Sequence, residues 1–191
     1  MTLTIDAVLT DIDMQLARAA NDRKAPMHTP VVVTSDADAR VMVLREWDGA
    51  NRTLRFHTDV RSPKVGLIGD GAAVGVLFYD SEAKLQLRCR GIARIETDTP
   101  AADAAWSGSD TYARRCYLGD PPGEPSEAPT SGLPDWVEGE RPTEEQLEPV
   151  RSNFAILLVT LDEVDWYHLS HDGHRRALID LAGGEGQWLA P

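Results

Sequence analysis

The sequence predicts a mainly β protein, an antiparallel barrel or sandwich with peripheral helices. Three observations predict it. Short apolar, β-branched runs recur along the 191 residues and are separated by turn chemistry. Several of these runs follow one another closely enough to pair as hairpins. Helical periodicity is confined to a few stretches.

In chain order, residues 4–20 read as an amphipathic helix. Thr4 is an N-cap type, and Ile5, Val8, Leu9, Ile12 and Leu16 recur at helical spacing. A loop over 22–29 leads to a β-branched strand at Val31–Val33. A longer run, Arg40 to Trp47, is followed by the turn Asp48-Gly49-Ala50-Asn51 and an alternating run from Arg52 to Thr58, so the two read as a hairpin. Pro63 opens a short helix that Gly69 and Gly71 stop. Strands are expected at 73–79 and 84–96, a helix between Ala101 and Tyr117, and strands at 153–161, 165–169 and 174–181. Segment 119–150 holds seven of the twelve prolines and few core residues. It reads as a long surface excursion from a single domain spanning 1–191.

The net charge is −12, which argues against a broad nucleic-acid surface. No apolar run approaches the roughly 18 residues a bilayer span needs, and Met1-Thr2-Leu3-Thr4 has no basic, signal-like character. No membrane partner is expected, and the expected location is cytoplasmic. Cys89 and Cys116 form no C-x-x-C pair and no zinc-type cluster with histidine, so no metal site is expected.

Against this acidic background, residues 40–64 carry Arg40, Arg45, Arg52, Arg55, Arg61 and Lys64. A basic stretch in an acidic protein can be a solvated strand face or a site for a small anion. The run Thr58-Asp59-Val60-Arg61-Ser62-Pro63-Lys64 sharpens the choice. Ser62 is an N-cap type and Pro63 suits the first helical position, so the helix start offers backbone N–H groups and a positive dipole end. Thr58 and Ser62 add hydroxyls, Lys64 a mobile charge, and Arg61 a further cation. An ordinary capped helix with exposed basic residues would carry the same pattern. If 40–47 and 52–58 form a simple hairpin, Arg40 sits roughly opposite Thr58, and its planar fork suits phosphate.

These residues resemble a known family. Arg40-Val41-Met42-Val43-Leu44-Arg45 resembles the R-x-V-L-L-K motif of the pyridoxamine 5′-phosphate oxidases. Phe56-His57-Thr58-Asp59 through Lys64 resembles F-Y-T-N-x-x-S-R-K, and Gln86-Leu87-Arg88-Cys89-Arg90-Gly91 resembles R-Q-V-R-x-x-G. Trp166 and Arg176 fall at the family's spacing, and Trp188-Leu189-Ala190-Pro191 is similar to its L-x-P ending. The resemblance implies a six-stranded antiparallel split β-barrel that binds FMN at a homodimer interface. By position, Arg40, Thr58, Ser62 and Lys64 would hold the FMN phosphate, with His57 packing beside it. Val41 and Met42, the backbone of Val43 and Leu44, and Arg45 would lie along the isoalloxazine ring. Gln86 would hydrogen-bond it, and Trp166 and Arg176 would close over it from the other subunit. Arg40 and Arg45 are five residues apart, which strict alternation places on opposite faces. Serving one flavin with both requires a ligand that wraps the strand edge or a bulge.

The sequence also departs from the family. Pro63 replaces the arginine before the phosphate lysine, and Arg45 replaces the ring-side lysine. In the C-terminal R-L-H-D-R motif, Asp172 stands where the resemblance puts the arginine that contacts the substrate's phosphate. The family's Tyr/Arg/Ser substrate cluster has no clear match in 112–117. Three functions are therefore expected in turn: an FMN-dependent oxidoreductase on a small molecule, a non-catalytic FMN carrier or sensor, or a phosphate-ligand module without flavin.

Overall fold

The computed structural model describes residues 3–191, which fall into two compact units. The first holds the described residues up to Phe56 together with Asp70–Arg94 and Leu158–Pro191. The second holds His57–Gly69 and Ile95–Leu157.

In the first unit, helix α1 (Ile5–Asn21) begins where expected. Thr4 Oγ1 accepts from the Ala7 N–H at 3.2 Å, and Val8, Ile12, Leu16 and Ala19 are buried along one stripe. The strands are β1 (Val31–Val33), β2 (Ala39–Val41), β3 (Glu46–Asp48), β4 (Thr53–Asp59), β5 (Ala72–Asp80), β6 (Leu85–Glu96), β7 (Phe154–His168), β8 (Arg175–Asp180) and β9 (Glu185–Leu189). β4, β6 and β7 run on into the second unit. The sheet order is β2-β1-β5-β6-β7-β4-β3, with β8 beside β7 and β9 beside β8. The β1–β2, β1–β5, β3–β4, β5–β6, β7–β8 and β8–β9 pairs are antiparallel.

This order forces curvature. β2 and β3 stand at opposite ends of the path, six strand spacings apart. Flat, those spacings would cover roughly 29 Å at about 4.8 Å each. Yet Val41 and Glu46 are joined by a chain that can reach at most about 18 Å. The ends must therefore curl toward one another, which is the geometry of a barrel left open between β2 and β3. The fold is the expected mainly β, split-barrel class.

The expected 40–47/52–58 hairpin is corrected at its first half. Only Glu46–Asp48 pairs with β4, whereas Arg40 pairs with Val32 of β1 and not with Thr58. The chain changes partners midway because two flanks compete for one extended segment. The strands expected at 153–161 and 165–169 are one strand, β7. Asp162 and Glu163, which lie between the two expected strands, occupy exposed and half-buried positions of one continuous strand. β9 escaped the sequence reading because Glu185-Gly186-Gln187-Trp188 has no alternation of burial to betray it.

The second unit begins as β4 ends. Helix α2 (Pro63–Ile68) follows, with Gly69 at its C-cap at φ 51°. The single helix expected over 101–117 divides into α3 (Pro100–Ser107) and α4 (Thr111–Arg114), then a 3-10 turn at Arg115–Leu118. Gly108 ends the first, and the Asp110 carboxylate recaps the second by accepting from the Tyr112 N–H at 2.8 Å. Trp106, Tyr117, Phe154 and His57 form an aromatic core, with the Arg114 guanidinium 4.8 Å above the Trp106 ring. The excursion contains the short helix α5 (Glu144–Leu147), closed by a Thr143/Gln146 capping box. It is anchored by the buried Val137 and Leu147.

Candidate functional site

Three groups of sequence-predicted residues take shape, two in the first unit and one in the second. The first is the segment from Arg40 to Arg45. Its N–H groups alternate in direction. The Met42 N–H donates to the Pro30 carbonyl at 3.0 Å and the Leu44 N–H to the His28 carbonyl at 2.9 Å, continuing the β1–β2 ladder past its last strand residue. By the antiparallel pattern, residues 40, 42 and 44 face β1, and residues 41 and 43 face the other way. β2 ends the sheet path, so that second side is an edge. At Arg45 the outward side meets β4, and its N–H donates to the Arg55 carbonyl at 2.9 Å. Val41 and Val43 therefore present backbone N–H and C=O groups in the gap between two ladders.

Side chains along this segment alternate as strictly as the backbone. Met42 and Leu44 are buried, Val41 and Arg45 exposed, and Val43 half-buried. No bulge intervenes, so Arg40 and Arg45 project to opposite faces. A ligand touching both must pass around the free edge at Val41–Val43. The Arg40 guanidinium donates to Thr34 Oγ1 at 2.9 Å and pairs with Asp38.

The second group lies where β4 meets α2. Thr58 and Ser62 are both buried. The Ser62 hydroxyl makes no capping bond to its helix and instead accepts from Lys64 Nζ at 2.8 Å. His57 stands edge-on to Phe154, ring centres 5.0 Å apart. Arg61 behaves otherwise than the sequence suggests. Its Nε and Nη2 donate to the Asp59 carboxylate at 2.9 and 2.6 Å, and Nη1 donates to the Gly119 carbonyl at 3.0 Å. The Asp59 carboxylate raises the guanidinium's already high pKa. Arg61 is thus a staple for the turn rather than a spare cation. Nearby, the excursion brings Gly123 to Pro63, where an added Cβ would lie 3.9 Å from Cγ.

The third group is the outer face of β6, β7 and β8. On β6, Gln86, Arg88, Arg90, Ile92 and Arg94 alternate with buried Leu87, Cys89, Gly91 and Ala93. The Gln86 amide is half-buried and has no hydrogen-bond partner among the described residues. Asp165 is 1% exposed. It accepts from Arg88 Nη2 at 2.5 Å and from Arg176 Nε and Nη2 at 3.0 and 2.8 Å.

Here the two expected C-terminal residues part company. Tyr167 pairs with Arg176 across the β7–β8 ladder, and Trp166 with Ala177, so Trp166 and Arg176 lie on opposite faces. Trp166 is 5% exposed, and its indole N–H donates to Asp11 of α1 at 2.7 Å. Tyr167 is the aromatic on the Arg176 side, with the guanidinium 6.0 Å from its ring and His174 edge-on at 5.8 Å. Tyr167, which the sequence reading did not single out, is thus the aromatic on Arg176's face, while Trp166 is on the other. Strand parity was the signal that could have found it. Among the described residues, no group of three or more His, Cys, Asp or Glu side chains is placed to hold a metal. No helix among them is long and apolar enough to cross a membrane.

These donors fit FMN by their chemistry. In the first unit, an N–H/C=O edge and a carboxamide without partners among the described residues complement a flavin's alternating donors and acceptors; in the second, Ser62 with Lys64 suits a phosphate. The comparisons agree. The family model described as pyridoxamine 5′-phosphate oxidase, FMN-binding domain, matches residues 12–97. Among solved structures, a pyridoxamine 5′-phosphate oxidase-related, FMN binding protein from Nostoc punctiforme is 20% identical over 100% of both chains, with a TM-score of 0.70. PhzG from Burkholderia lata, solved with tetrahydrophenazine-1-carboxylic acid, is 18% identical over 100% of this chain and 98% of its own, with a TM-score of 0.67. A relative of general stress protein 26 from Clostridium acetobutylicum is 12% identical over 96% of this chain and 100% of its own, at 0.56. At these identities the likeness shows a shared fold. No curated protein matches the sequence. Residues 12–97 therefore match the FMN-binding domain of the pyridoxamine 5′-phosphate oxidases, and the chain as a whole shares the fold of proteins related to them.

Proposed function

We propose that the protein is an FMN-dependent oxidoreductase acting on a small molecule, working as a homodimer in the cytoplasm. The observation that carries this reading is the free backbone edge at Val41–Val43, left open between two ladders. Alternating N–H and C=O groups match a flavin ring's alternating acceptors and donors, whereas a phosphate, which offers acceptors alone, has no use for the carbonyls. Thr58, Ser62 and Lys64 are assigned to the phosphate, with Arg40 as a further cation released from Asp38. Met42 and Leu44 back the segment from the core, Arg45 flanks it, and Gln86 supplies a side-chain amide. FMN, once bound, supplies the electron transfer, while the chain binds it, orients it and excludes water.

The homodimer reading is supported by exposed apolar side chains on the outer face. Val41 pairs with Val31, and Val31 with Leu77, while Tyr79 stands opposite Gln86 and Ile92 opposite Ala73. Val41 is 66% exposed, and Leu77, Tyr79 and Ile92 are exposed beside it. Exposed apolar side chains set among arginines on the face that carries Gln86 suit a second copy whose Arg176 and Tyr167 cover the cofactor. Trp166 is set aside from that role, because its indole already serves α1 of its own chain. Two free thiols, Cys89 and Cys116, suit a reducing compartment.

The second reading, a non-catalytic FMN carrier or sensor, is favoured by Asp172, an exposed acid where the family resemblance puts a substrate-phosphate arginine. Titrating FMN against flavin-free protein tests both readings, and Lys64→Ala or Arg40→Ala is expected to weaken binding by about 1.5–3 kcal/mol each. Unchanged affinity in both variants would remove the phosphate assignment. Bound flavin that accepts no electrons from any reduced nicotinamide or amine donor would leave the carrier reading standing.

A further inference from the structure

We infer that Asp165 is a positioning residue for Arg176, presetting its guanidinium for the cofactor through a bridge anchored by Arg88. The inference rests on the reading that Arg176 faces FMN. Asp165 is an acid at a buried strand position, held by guanidinium groups from two strands, β6 and β8. Burying such a carboxylate is costly, and a well-packed apolar set at the same positions commonly serves stability as well or better. The charge therefore needs a reason beyond holding the sheet together.

Arg176 supplies that reason. A free arginine carries large rotamer freedom, much of which is lost when it grips a ligand. Here Asp165 takes the Nε–Nη2 edge in a two-point contact, fixing the plane of the guanidinium. Nη1 has no partner among the described residues, so one edge remains to donate to an acceptor. Tyr167 lies beside the same group and limits its swing. Arg88 completes the bridge. It leaves β6 one turn of the pleat beyond Gln86, so the strand that carries the amide also steadies the carboxylate.

The test is a double-mutant cycle read by FMN affinity and by the visible spectrum of the bound flavin. Wild-type protein, Asp165→Asn, Arg176→Ala and the pair are titrated with FMN after melting curves confirm folding. Asp165→Asn is expected to weaken FMN at least fivefold and to shift the bound-flavin spectrum. In the Arg176→Ala background it is expected to have no further effect. Asp165→Glu should restore part of the loss. If Asp165→Asn does not fold, Arg88→Met takes its place and must show a smaller loss that also vanishes without Arg176. Equal affinity for Asp165→Asn and wild type, or losses that simply add, would overturn the inference. Wild-type protein that binds no FMN would instead sink the reading on which it rests.

Discussion

Two neighbouring aromatic residues, Trp166 and Tyr167, show how one step along a strand sends side chains to opposite faces. Trp166 faces α1 and donates to Asp11, whereas Tyr167 shares its face with Arg176. Trp166→Phe keeps the ring's packing and loses one hydrogen bond, so it is expected to lower stability by about 1 kcal/mol and leave FMN affinity unchanged. Tyr167→Ala is expected to do the reverse, weakening FMN several-fold with a small change in melting temperature. The opposite pattern would return the role to Trp166. The cysteines divide in the same way. Cys89 is buried and burial pushes its thiol far up, while Cys116 is exposed. Native protein should therefore alkylate at one thiol, and denatured protein at two. Rapid labelling of Cys89 in native protein would show that β6 opens. At this scale, residue types were legible and their directions were not. Arg61 looked like a spare cation until Asp59 was seen to occupy it.

Among the elements, Gly91 explains a motif position that the sequence could only match. An added Cβ there would lie 2.1 Å from the Thr160 carbonyl oxygen and 2.9 Å from Leu161 Cα. The obstacle is backbone, which cannot rotate away, so Gly91→Ala is expected to cost about 3 kcal/mol or more. A loss under 1 kcal/mol, measured by urea unfolding, would mean that β6 and β7 part easily at that point. Helix α1, β1 and α2 were readable because local chemistry decides them: a Thr4 cap, a β-branched triplet, and Pro63 with Gly69 at the ends. The segment 40–47 was not, because its alternation is unbroken while its partner changes from β1 to β4. Periodicity reports which side chains face inward. It carries no information about which neighbour takes the backbone N–H.

For the whole molecule, the open face and the open edge belong to one account. The exposed Val41, Leu77, Tyr79 and Ile92 form a surface that a solitary subunit would leave wet. Leu77→Asp with Ile92→Asp is expected to shift the protein to monomer in sedimentation and to weaken FMN at least tenfold. Monomers that keep full FMN affinity would separate the cofactor from the dimer. The split-barrel class was legible in the order of strands and turns, whereas the curl came only from the pairing that sets β2 and β3 at opposite ends of the sheet path. The most direct test of the central claim is a titration of flavin-free protein with FMN, followed by flavin fluorescence and visible absorption. One FMN per chain, quenched and spectrally shifted, with affinity lowered tenfold or more in Lys64→Ala, is the predicted result. Wild-type protein that leaves FMN fluorescence unquenched at every concentration would contradict it.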